Sequence, residues 1–97
     1  MSRMDQAKML MKMRKLQKEL QKEMITAEAG EGAVKVEING EMKIKKISID
    51  ADSVDTSDIG QLERWVEEAV KDAISKSQKL AADKMQPMMG SLGNLGL

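Results

Sequence analysis

Lys8, Lys12, Lys15 and Lys22 recur at intervals that place them along one line of an α-helix. Basic side chains spaced in this way can meet successive phosphates of a nucleic-acid backbone and release the counterions held there. Arg14 and Lys18 add to the positive charge of the same segment, Arg3 precedes it, and Glu19 falls inside the line and partly neutralises it. The same pattern also describes an ordinary solvated helix face. Lys76, Lys79 and Lys84 form a second, smaller basic group in which only Asp83 opposes them.

Other chemistries are poorly provided for. The 97 residues include no Cys, His, Tyr or Phe, and Trp65 is the only aromatic residue. Thiolate nucleophiles, imidazole bases and the usual zinc ligand sets are therefore excluded, and an enzyme would have to work with carboxylates, Lys and Ser. Asp50, Asp52, Asp55 and Asp58 invite a calcium reading. An EF-hand loop, however, would place Asp55 where a Gly is needed and Gln61 where the closing Glu belongs. A solvated turn ending in a helix cap explains the run better, and no metal or cofactor is expected. Zinc-finger, helix-turn-helix and ribonucleoprotein signatures are absent, and a lone Trp65 makes no stacking platform. Trp65 reads instead as a core or dimer-interface residue.

The elements that must carry these side chains follow from periodicity. From Met4 to about Ala27, Met9, Met13, Leu16, Leu20, Met24 and Ala27 form a narrow helical stripe, with the basic line roughly 120° around the cylinder. Met4, Leu10 and Met11 lie off the stripe and are candidates to meet a partner. A membrane-surface role for this helix is weakened by the narrow stripe and the lack of Trp or Phe within it. Lys8, Lys12, Arg14 and Lys15 interrupt any apolar leader, and no membrane-spanning run occurs, so a cytoplasmic protein is expected.

Glu28 to Gly32 break the helical pattern. Val34, Val36 and Ile38 then alternate with Lys35 and Glu37 up to Asn39-Gly40, a hairpin signal. A three-residue loop of Ile38, Asn39 and a left-handed Gly40 pairs Val36 with Met42 and Val34 with Ile44. The alternation slips between Ile44 and Ile47, which predicts a bulge or strand break at Lys45-Lys46. Asp58 and Gln61 read as a capping box opening a second helix over about 58–85, which Pro87 should stop. Residues 87–97 read as a disordered tail. Helices of about 36 and 42 Å would outreach a small sheet and make the molecule elongated. Val34, Val36, Ile38, Met42, Ile44, Ile47, Ile49, Leu62, Trp65 and Val66 are the expected core or dimer interface.

The run GEGAVKVEINGEMKIKKISID resembles the YbaB/EbfC family of bacterial nucleoid-associated proteins. The resemblance extends over roughly residues 4 to 86, with the flanking helices agreeing in type and length. It implies the order helix, three strands, helix, with the third strand following the break at Lys45-Lys46. It also implies a homodimer in the nucleoid whose projecting helices grip duplex DNA. The basic character of Lys8, Lys12, Arg14, Lys15, Lys18 and Lys22 is what carries over.

The expectation is therefore an α+β domain over residues 1–86, dimeric because its apolar faces exceed what one copy can cover. Its function would be DNA binding without catalysis, mainly through backbone contacts. The alternative is an adaptor whose Met- and Leu-bearing helices bind another protein, for instance one of DNA repair or replication. The net charge is zero, distributed as +4 over residues 1–27, −3 over 28–57 and −1 over 58–97. Affinity for DNA should accordingly be modest and fade quickly with salt.

Overall fold

The computed structural model describes residues 2–93. Helix α1 (Arg3–Lys22) leads into strands β1 (Met24–Ala29), β2 (Val34–Asn39) and β3 (Ile44–Ile49). A short 3-10 turn (Ala51–Ser53) precedes helix α2 (Ile59–Gly93). The strands form one antiparallel sheet in the order β1-β2-β3. The order helix, three strands, helix is the expected one, and the shape is elongated: the extents are 64 × 21 × 15 Å and the radius of gyration is 18.7 Å. A compact chain of this length would have a radius of about 13 Å.

The central strand β2 is where the alternation of Val34, Val36 and Ile38 put it, but the outer strands are not. α1 ends at Lys22 rather than near Ala27, and Met24–Ala29 is the first strand. No separate strand begins after Lys45-Lys46, because β3 runs through that pair. Met24 and Ala27 fit the helical stripe, yet Ile25, Ala27 and Ala29 also alternate, and β-branched Ile25-Thr26 favour the extended form. Pairing with β2 decides the choice: Ile25 lies opposite Ile38, Ala27 opposite Val36, and Ala29 opposite Val34.

The second hairpin has the expected loop type, displaced by two residues. Asn39 and Lys43 close it, so Gly40, Glu41 and Met42 form the loop and Met42 is the left-handed residue at φ 64°. Val36 thus pairs with Ile47 and Val34 with Ile49, in place of Met42 and Ile44. Glu37 faces Lys46 while Ile38 faces Ile44, which leaves Lys45 as the extra residue of a bulge at the expected dilysine.

One face of the sheet makes the core. Ala27, Val34, Val36 and Ile38 are fully buried beneath Ala69 and Ala73 of α2, with Leu62, Trp65, Val66 and Val70 packed around them. α2 lies over β1 and β2. The β3 residues on the same face, Ile44, Ile47 and Ile49, together with Met42 of the loop, therefore stay 43 to 51 % exposed. α2 opens on Asp58, whose carboxylate accepts the Gln61 N–H at 3.1 Å, so half of the expected capping box forms; the Asp58 N–H donates to the Asp55 carbonyl at 3.0 Å and not to the Gln61 side chain. It then continues through Pro87 to Gly93 instead of stopping; the missing proline N–H removes one rung of the ladder without ending the helix. Residues 94–97 of the expected tail lie outside the described residues. Among the described residues no helix is long and apolar enough to cross a membrane.

Candidate nucleic-acid interface

α1 begins on a reciprocal cap. The Ser2 hydroxyl accepts the Asp5 N–H at 3.2 Å, and the Asp5 carboxylate accepts the Ser2 N–H at 3.4 Å. Asp5 in the first turn and Lys22 in the last both suit the helix dipole. The rest of the molecule holds this helix at its far end. Among the described residues, every hydrogen bond or ion pair between α1 and the other elements or loops arises from Gln17 to Glu23.

That anchor is built around Asn39 and Gly40. The Gly40 N–H donates to the Leu20 carbonyl at 2.8 Å, and the Asn39 side-chain amide donates to the Gln21 carbonyl at 3.4 Å. A Cβ at Gly40 would stand 2.9 Å from the Leu20 carbonyl oxygen and 3.0 Å from its Cα. Glycine is needed here for close approach to α1, not for a left-handed turn. The Asn39 side-chain oxygen accepts the N–H groups of Glu41 and Lys43 at 2.9 and 3.0 Å and so shapes the loop. Ser77 ties the loop to α2: its buried hydroxyl donates to the Asn39 carbonyl at 2.7 Å and accepts the Met42 N–H at 3.1 Å. Lys84 of α2 completes the clamp with ion pairs to Glu23 at 3.1 Å and Glu19 at 3.9 Å.

These positioning residues are hidden in the sequence pattern. Asn39-Gly40 is legible there only as a turn, and Ser77 only as a member of an apolar helix face. A small hydroxyl on that face is the one sign that a backbone group has to be met there.

The basic residues of α1 differ from Lys76 and Lys84 of α2 in their ion pairing. Arg3, Lys8, Lys12, Arg14, Lys15, Lys18 and Lys22 are all exposed. Among the described residues none of them joins an ion pair. Lys76 is paired with Asp72 at 3.1 Å and Lys84 with the two α1 glutamates, which leaves Lys79 as the unpaired member of the second group. Glu19, which sequence spacing set against the basic line, is drawn toward Lys84 instead.

The aspartates of the loop serve local turns. Asp50 accepts from the Asp52 N–H and the Ser53 hydroxyl, Asp55 from the Ser57 N–H and hydroxyl, and Asp58 caps α2. The Ser57 hydroxyl and N–H hold the Asp55 carboxyl below its ordinary value. Trp65 is a packing residue: its ring lies against Gly30, where φ is +63° and a Cβ would fall 2.5 Å from the indole. A groove of about 570 Å³ runs between β3 and α2, floored by Ile49, Leu62, Val66 and Val70, with Glu63, Glu67 and Lys71 beside it.

Comparison with known proteins agrees with this fold. The structure resembles the crystal structure of the uncharacterized protein HP0035 from Helicobacter pylori, with a TM-score of 0.77 over 86 % of this chain and 87 % of that one. At 18 % identity this likeness shows the fold alone. Nucleoid-associated proteins of Syntrophobacter fumaroxidans and Chloroflexus aggregans are 38 and 37 % identical to it. The first match covers 97 % of this chain and 86 % of the relative, the second 86 and 83 %. A model of the YbaB/EbfC DNA-binding family matches residues 1–92, and with relatives this similar over most of its length the chain belongs to that family.

Proposed function

We propose that the chain acts as a homodimer that holds duplex DNA between two projecting α1 helices, within the nucleoid of the cytoplasm and without catalysis. Lys8, Lys12, Arg14, Lys15, Lys18 and Lys22 are the phosphate contacts, with Arg3 and Lys79 as lesser ones. The carrying observation is that these six α1 residues are exposed and free of ion pairs among the described residues, whereas Lys76 and Lys84 have acidic partners. A cation that keeps its full charge gains most from displacing counterions at a phosphate. Backbone contacts of this kind carry little sequence information.

The dimer is supported by the uncovered part of the sheet. Ile44, Ile47 and Ile49 share the core face of β2 but lie beyond the cover of α2, and Ile49 lines an apolar groove against it. A second copy laid over them would bury that surface.

Fluorescence anisotropy with a labelled duplex at roughly 50 and 200 mM salt tests the DNA reading, since binding through several phosphates weakens steeply as salt rises. The native chain should bind at the lower salt and weaken sharply at the higher, and the K8E, K12E, K15E variant should lose binding with its fold intact. No binding by the native chain at the lower salt would sink the reading. It would favour the adaptor, for which exposed Met4, Leu10 and Met11 are the supporting observation.

A further inference from the structure

The anchor at Leu20, Gln21 and Glu23 fixes the rotation of α1 about its own axis and so decides which side chains face outward. Leu20 is buried there, and Met9 and Leu16 of the same stripe are half-buried. At about 100° per residue, Met4 and Met11 lie about 140° and 160° from that stripe, in the middle of the lysine face. Met4, Lys8, Met11, Lys15, Lys18 and Lys22 share this outward side, with Arg14 at its flank. Met4 is 70 % and Met11 68 % exposed. Neither can be serving the interior of its own chain.

We propose that Met4 and Met11 are DNA-contacting residues, pressing on the deoxyribose edges of the minor groove while Lys8, Lys15 and their neighbours hold the flanking phosphates. This rests on the DNA reading above and adds an apolar component to it. The charge around them selects the occupant. Lys8 stands between the two methionines and Lys15 follows Met11, so whatever touches the thioethers must also accept those cations. Deoxyribose offers apolar C–H surface between phosphates, and unbranched Met adapts to an irregular surface. This side carries no Asn or Gln for reading base edges, and Arg14 at its flank is assigned to a phosphate, so the contact carries little sequence information. Apolar side chains set among basic ones are a recurring feature of proteins that bind the minor groove.

The test is anisotropy with the full chain and the labelled duplex across a salt series. M4Q M11Q should bind about tenfold more weakly at every salt, the order expected for two partly buried Met side chains, with the slope of affinity against salt unchanged. M4L M11L should stay within about twofold of the native chain, because Leu keeps the apolar contact. Unchanged melting curves would show that both variants fold, as exposed positions allow. Native affinity in M4Q M11Q would overturn the proposal and leave the methionines to a protein partner. The DNA reading would survive that result if K8E, K12E, K15E still lost binding. Absence of native binding at low salt would end both.

Discussion

α1 and α2 are both long amphipathic helices, but they are held in opposite ways. α2 lies across β1 and β2 with Ala69, Ala73 and Ser77 fully buried, and it covers Val34, Val36 and Ile38. α1 meets the rest of the chain through its last turns, by close backbone approach at Gly40 and ion pairs to Lys84. Burial of apolar surface sets the stability of the first arrangement; a few polar interactions set the direction of the second. Among the described residues, all seven basic residues of the loosely held helix are unpaired, whereas Lys71, Lys76 and Lys84 of α2 have acidic partners. An arm anchored at one end leaves almost its whole circumference available to a ligand.

The contrast can be broken from either side. Ile38→Ala removes a fully buried side chain from beneath α2 and should cost about 2–5 kcal/mol in a denaturant melt. A smaller loss would mean that α2 is not the main source of stability. Gly40→Ala drives a methyl into the Leu20 backbone, and overpacking of this kind costs about 1–3 kcal/mol. Its sharper consequence is on α1, whose direction should change, so DNA affinity should fall while the sheet and α2 keep their amide protection in hydrogen exchange. Equal loss of protection in sheet and arm would show that the two regions do not behave separately. Ile47→Asp alters a half-exposed residue and should shift the stability of a single chain by about 1 kcal/mol or less. In sedimentation it should turn a native dimer into a monomer; a dimer unaffected by the change would place the interface elsewhere.

Local chemistry made much of the fold legible. Asp58 with Gln61 marked the start of α2, the slipped alternation at Lys45-Lys46 marked a bulge, and the strict alternation of Val34, Val36 and Ile38 marked the central strand. Each depends on neighbours a few residues apart. The first strand was not legible, because Ala27 satisfies both the helical stripe and the alternation of Ile25 and Ala29. The hairpin loop was displaced for a similar reason: glycine serves both left-handed turns and close approach, and only its packing on Leu20 shows which is at work.

By itself, then, the amino-acid sequence determined the helix, sheet, helix order, the basic first helix and the absence of the common catalytic side chains, since these follow from residue type and short-range spacing. Tertiary structure decided which strands pair, that α2 leaves the isoleucines of β3 uncovered, and that Lys76 and Lys84 are neutralised while the α1 cations are not. Those outcomes depend on residues far apart in the chain meeting across the fold, where burial and ion pairing outweigh local preference.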